Sequence, residues 1–159
     1  MQNLQGRTAV ITGAASGIGR ALAVSLRREG CHLALSDVNA EGLAETAAMV
    51  SGSSLRTTTH VVDVADRAAM TRFVQEVIDA HGGLNLLINN AGVSVEGTFE
   101  EQTLEDWEFI VGINFWGVLY GCKLFLPHLK VEDEGHIVNI SSIFGIVGIP
   151  AQSSYCATK

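Results

Sequence analysis

Short, nearly continuous apolar runs alternate with longer stretches of helical period along the whole chain. Thr8-Ala9-Val10-Ile11-Thr12 reads as a buried strand. Glycines follow, then a helix from about Ile18 to Glu29, with Ile18, Leu22 and Leu26 as its apolar stripe and Gly30 as its stop. His32 to Ser36 reads as the next strand, and Asn39 as the cap of a helix running through Val50. Thr58 to Val62 is a third strand, and the helix after it carries Phe73, Val74, Val77 and Ile78 on one face and stops at Gly82-Gly83. Leu84 to Ile88 makes a fourth strand, and Thr103-Leu104-Glu105-Asp106 forms a capping box that opens a long helix to about Leu129. In that helix Gly117 and Gly121, one turn apart, allow close approach of a neighbour. The acidic turn Glu132 to Gly135 leads into a fifth strand from His136, and a sixth helix starts near Gln152.

Strands of this kind, alternating with amphipathic helices, are buried on both faces of a parallel sheet. The expected fold class is therefore α/β, a Rossmann-type doubly wound sheet with helices on both faces and ligands at the carboxyl ends of the strands. With no repeat, linker or low-complexity tract, residues 1–159 read as one dinucleotide-binding domain.

Composition narrows the picture. Hydrophobic residues make up 47% and charged residues 17%, as in a folded globular protein. A formal net charge of −7 argues against a nucleic-acid partner. Met1 to Arg7 lacks the basic-then-apolar layout of a signal peptide. The charge-free window from Phe109 to Cys122 falls short of the roughly 18 apolar residues of a membrane span, so a buried helix is expected there. Three scattered cysteines and five histidines without paired spacing suggest neither a disulfide framework nor a metal site, and a reducing, cytoplasmic setting is expected.

Candidate chemistry gathers at the strand ends. Gly13, Ser16, Gly17, Ile18 and Gly19 lie in a G-x-x-x-G-x-G turn between the first strand and the first helix. There the backbone can approach a pyrophosphate, and the helix N-terminus favours its charge. Asp37 ends the second strand, where a carboxylate can accept from a ribose diol and repel a 2′-phosphate. No basic residue adjoins it in sequence, so NAD is favoured over NADP. Asp63 and Val64, and Asn89, Asn90, Ala91 and Gly92, line the same sheet edge and suit the adenine and ribose. Asn114 is an amide within an apolar helix and needs partners. Tyr155 and Lys159 share a helix face, with Ser142 upstream after the last strand. A phenol, an ammonium and a hydroxyl together can move a proton at a carbonyl or alcohol carbon.

In order and spacing these motifs resemble the classical short-chain dehydrogenase/reductase family, and the resemblance spans the chain. It implies Tyr155 as general acid/base, Ser142 orienting the substrate oxygen, and Lys159 binding the nicotinamide ribose while promoting proton release from Tyr155. Asn114 would support a water-linked relay to Lys159. It further implies a small-molecule alcohol or ketone substrate, no metal and no membrane, and homo-oligomers built on the long helices. Family members continue past the lysine into further strands and a substrate-covering loop. On this resemblance the chain reads as the N-terminal part of a longer fold, with the C-terminal strands missing, the fifth strand left as a sheet edge and the last helix frayed. The reading from a different class is a non-catalytic dinucleotide-binding module. The apolar residues Phe144, Ile146, Val147 and Pro150, with Val93 and Val95, suggest an apolar pocket wall without naming a substrate.

Overall fold

A computed structural model describes residues 3–52 and 54–159; Met1 and Gln2, part of the stretch read for a leader, lie outside it. The strands are β1 (Thr8–Thr12), β2 (His32–Asp37), β3 (Thr57–Val61), β4 (Leu86–Asn89) and β5 (His136–Asn139). All pair in parallel in one sheet, in the order β3-β2-β1-β4-β5. Between them run α1 (Gly17–Arg28), α2 (Ala40–Met49), α3 (Arg67–His81), α4 (Leu104–Val111) and α5 (Val118–Leu129), with the short α6 (Ser153–Thr158) after β5.

Alternation of side chains splits the sheet into two buried layers. On one face Ala9, Ile11, Leu33 and Leu35 pack with Ala23 and Leu26 of α1 and Leu43 of α2. On the other, Val10, Ala34 and Leu87 pack with Met70, Phe73 and Val77 of α3 and Phe125 and Leu129 of α5. Phe73 and Phe125 meet edge to face at 5.6 Å there, joining α3 to α5. The doubly wound reading of the pattern holds.

Local chemistry sets the helix ends. Asn39 accepts from the Gly42 N–H at α2, Asp66 from Ala68 and Ala69 at α3, and Thr103 closes the expected capping box with Asp106 at α4. Gly82, at φ 79°, ends α3 in the left-handed conformation.

Four expectations need correction. Ile18 is not part of the core stripe of α1: it is 61% exposed, because the first turn projects beyond the sheet. The third and fourth strands end one residue earlier and one later than the apolar runs suggested, at Val61 and Asn89. The helix from Leu104 to Leu129 is continuous but widens to a π-helical turn over Gly112–Gly117. That helix is also buried along one face only. Ile110, Asn114, Gly117, Gly121 and Phe125 face inward, while Phe109, Phe115, Trp116 and Leu126 are exposed.

By length and composition this helix could cross a membrane. Its inner face is nevertheless fitted to the sheet: a Cβ at Gly117 would come 2.7 Å from the Val64 side chain, and one at Gly121 would strike the Asn89 amide. The two glycines therefore serve the close approach their spacing suggested.

Candidate active site

At the carboxyl ends of β1, β2 and β4 the loops surround a cavity of about 530 Å³. Its lining includes Gly13, Ser16, Gly17 and Ile18 from the glycine turn, and Asp37, Asp63, Val64, Asn90, Ala91 and Gly92 from the other strand ends. The structure thus gathers ten of the residues singled out from the sequence. Gly19 stays outside, beneath the turn, where a Cβ would strike the Gly13 carbonyl and the Asn90 amide. Its role is close packing of α1 on the turn rather than a face toward the cavity.

The turn is built for backbone contact. Gly13 has φ 66°, and a Cβ there would lie 2.8 Å from Ala91 Cα. Unlike α2, α3 and α4, α1 has no side-chain cap: Ser16 leaves the first N–H groups without a side-chain acceptor, and its first turn carries no acid. These uncapped donors border the cavity and suit an anion.

Asp37 accepts from the Ala15 N–H at 3.0 Å through Oδ2 and from the Asn39 N–H at 3.0 Å through Oδ1. Its carboxylate therefore braces the glycine turn and keeps lone pairs for a ligand hydroxyl. No lysine or arginine lines the cavity. Arg20, a neighbour the sequence did not suggest, sits behind the turn with its guanidinium engaged by Glu45, Thr46 Oγ1 and the Ala15 carbonyl.

One partner, Thr12, escaped sequence reasoning. Buried Thr12 accepts from the Asn90 and Ala91 N–H groups through Oγ1, each at 3.0 Å, while the Asn90 amide donates to the Thr12 and Gly13 carbonyls at 2.9 and 3.0 Å. The β1 and β4 ends are thereby stitched together, and a threonine closing a strand carries no signal of that job. Val38, Val62, Val93 and Ile113 add apolar wall. Asn89 does not join the cavity; it turns toward α5, donating to Asn139 Oδ1 at 2.8 Å.

The second cluster lies past Gly92. Tyr155 and Lys159 share a face of α6, with Lys159 Nζ 5.9 Å from the Tyr155 ring centroid. The ammonium donates to the Ile140 carbonyl at 3.3 Å, and burial pulls its pKa below the ordinary lysine value. A Cβ on Gly92 would sit 2.8 Å from Lys159 Nζ and 3.2 Å from Asn114 Oδ1, so this glycine opens the end of the large cavity to both groups. Neither Tyr155 nor Lys159 lines that cavity itself; Lys159 and Asn114 line a smaller one of about 390 Å³ against Phe115, Leu119 and Ile140. Ser142 caps a 3-10 turn over Ile143–Gly145, accepting from the Phe144 N–H at 3.2 Å. Phe144 then packs edge to face on Tyr155 at 6.1 Å, which ties the serine segment to the tyrosine. Among the described residues the Ser142 and Tyr155 hydroxyls do not hydrogen-bond each other.

Asn114 has the partners its burial demands. Its Oδ1 accepts from the Val93 N–H at 2.9 Å, and its Nδ2 donates to the Val93 carbonyl at 2.9 Å and to Thr158 Oγ1 at 3.1 Å.

Residues 7–159 match the family model described as short chain dehydrogenase. The chain is 43% identical over its whole length to SadH of Mycobacterium tuberculosis, which bears the name of an oxidoreductase, and covers 58% of that protein. A solved short chain dehydrogenase/reductase from Burkholderia phymatum in complex with NAD superposes with a TM-score of 0.95 at 34% identity, covering 99% of this chain and 57% of the other. NAD+-bound xylitol dehydrogenase gives a TM-score of 0.94 at 29% identity, over 99% and 61%. The chain belongs to the short-chain dehydrogenase family, an oxidoreductase lineage with a Rossmann-type sheet. It spans about three-fifths of the length of these relatives.

Proposed function

We propose that this chain forms the cofactor-binding and proton-transfer part of an NAD-dependent oxidoreductase that interconverts a secondary alcohol and a ketone. The observation that carries the reading is the Tyr155–Lys159 pair, whose Lys159 ammonium lies beside Gly92 at the end of the cavity bordered by the glycine turn and Asp37. The residues present suit a dinucleotide. The uncapped α1 terminus would hold the pyrophosphate, Asp37 the adenosine ribose diol, and Asp63, Val64, Asn90 and Ala91 the adenine side. When bound, the nicotinamide supplies the hydride acceptor or donor.

In alcohol oxidation Tyr155, as the phenolate, would accept the hydroxyl proton, and in ketone reduction the phenol would return it to the carbonyl oxygen. Ser142 donates to the substrate oxygen and fixes its orientation. Lys159 holds positive charge beside Tyr155 and favours the phenolate through the transfer. Asn114 holds the Val93 backbone and the end of α6, and so the gap between them. Assembly into homo-oligomers through the exposed apolar face of the long helix, including Phe109, Phe115 and Trp116, belongs to the same proposal.

The test is Tyr155→Phe, which removes the transferable proton and leaves the ring packed on Phe144. In a protein that carries this part together with the C-terminal region its relatives have, turnover of a secondary alcohol with NAD should fall by about a thousandfold or more while NADH affinity stays within about twofold. Retention of most of kcat contradicts the proton-transfer role. Tight NADH binding with no turnover in the unmodified protein favours a binding module.

A further inference from the structure

We propose that Thr158 is a positioning residue that locks the Tyr155–Lys159 helix to the π-helical turn through the Asn114 amide, an inference that rests on the functional reading above. The helix it acts on cannot hold itself. α6 has six residues, well below the roughly 12 needed for an isolated helix to persist, so outside contacts must fix its rotation. Rotation matters here, because it directs Lys159 toward Gly92 and Tyr155 toward Phe144 and the Lys159 ammonium.

The hydrogen-bond inventory shows how the rotation is set. Asn114 is buried, and its two amide hydrogens and one oxygen lone pair are all committed, to Val93 on one side and Thr158 on the other. A hydroxyl has a single hydrogen to give. Thr158 accepts from Asn114 Nδ2, so its own hydrogen is free to go inward, to the Ser154 carbonyl at 2.9 Å or the Tyr155 carbonyl at 3.1 Å. Donor and acceptor roles thus follow one direction: Val93 backbone, Asn114 amide, Thr158 hydroxyl, and from there the Ser154 or Tyr155 carbonyl inside α6. The widened turn over Gly112–Gly117 contains Asn114. Wide turns of this kind recur at functional sites. The other side-chain bonds to this end of the chain reach it elsewhere: Ser94 donates to Gln152 at the helix start, Ser153 to Gln102, Ser141 to the Lys159 carbonyl, and Lys159 to the Ile140 carbonyl. None of these four joins α6 to the π-helical turn.

Replacing the hydroxyl by a methyl leaves one buried Asn114 N–H without an acceptor and frees the amide to rotate, which would also slacken its clasp on Val93. The consequence is a misdirected Lys159 rather than a lost ligand contact, so kcat should suffer and substrate KM should not.

Thr158→Val and Thr158→Ser separate hydroxyl from shape, since valine keeps the volume and serine keeps the bond. Exchange of the Cys156 and Lys159 amides, which bond to the Gln152 and Tyr155 carbonyls, reads the fixation of α6 without needing turnover. Thr158→Val should accelerate their exchange by about tenfold and lower kcat by about tenfold or more with KM within about twofold, while Thr158→Ser restores both. Equal behaviour of the two variants, or a valine variant indistinguishable from the unmodified protein, overturns the proposal. If the unmodified protein turns over no alcohol, the functional reading fails, and the exchange comparison still decides whether Thr158 fixes α6.

Discussion

Gly92 shows how much chemistry can depend on an absent atom. Its φ is not in the left-handed region, so alanine is tolerated by the backbone, and the atom nearest to an added Cβ is the end of the flexible Lys159 side chain at 2.8 Å. Gly92→Ala should therefore fold normally, with a melting temperature within about 2 °C of the unmodified protein. The added methyl would push the ammonium away from the cavity end, and kcat should fall about tenfold or more. Steady-state kinetics beside a thermal melt checks this; a full kcat would mean that Lys159 does not work from this position. Gly92 was recognisable in the sequence as a strand-end glycine, but the reason for it was not. Lys159 meets it only after the chain has passed through the long helix, β5 and α6. The same holds for Thr12 and Thr158, whose hydroxyls find partners far away in sequence.

At the scale of elements, the alternation of apolar runs and helical stripes was enough to locate every strand and most helix ends, since capping and glycine stops are local chemistry. It could not reveal the π-helical turn, because the choice of a wider turn is made by tertiary partners of Asn114. It also misjudged Ile18, whose helical spacing with Leu22 and Leu26 said nothing about where the sheet ends.

The β3–α3 contact hides a pH dependence of its own. His60 Nδ1 meets Glu76 at 2.7 Å, His60 Nε2 meets Thr58 Oγ1 at 2.8 Å, and that hydroxyl meets His81 Nε2 at 2.9 Å. Burial first, then Arg56, His32 and His60, pulls the His81 pKa from 6.5 down to about 4. Below 6.5 the unfolded chain takes up a proton that the folded chain refuses until near 4, so stability falls as pH drops through that window. Asp133, held down to about 2 beside Arg7, matters only at more acid pH, below its ordinary 3.8. Thermal melts should show a clear loss of stability as pH falls from 6.5 toward about 4 that His81→Gln flattens. An unchanged slope in the variant would contradict the assignment.

Over the whole molecule the sheet is unevenly covered. Its centre is sealed by both layers, whereas β5 is exposed along its length, with Ile137 at 37% and Val138 at 41%, and pairs only with β4. Free apolar edges template further pairing. The 159-residue polypeptide should associate with rising concentration in sedimentation velocity, and Val138→Lys should shift it toward monomer; a monodisperse monomer at all concentrations would contradict this reading.

Among the described residues, the glycine turn and Asp37 share one cavity at the better-covered part of the sheet. On the proposed reading the Asp37 carboxylate in that cavity would repel a 2′-phosphate, and Arg20, the nearby cation, is engaged by Glu45. The most direct measurement is a fluorescence titration of the protein with NADH and NADPH at one fixed salt concentration. NADH should bind about tenfold or more tightly than NADPH, and Asp37→Asn, which keeps an acceptor for the turn and removes the charge, should narrow the gap. Equal affinities in the unmodified protein, or binding of neither, would contradict the account.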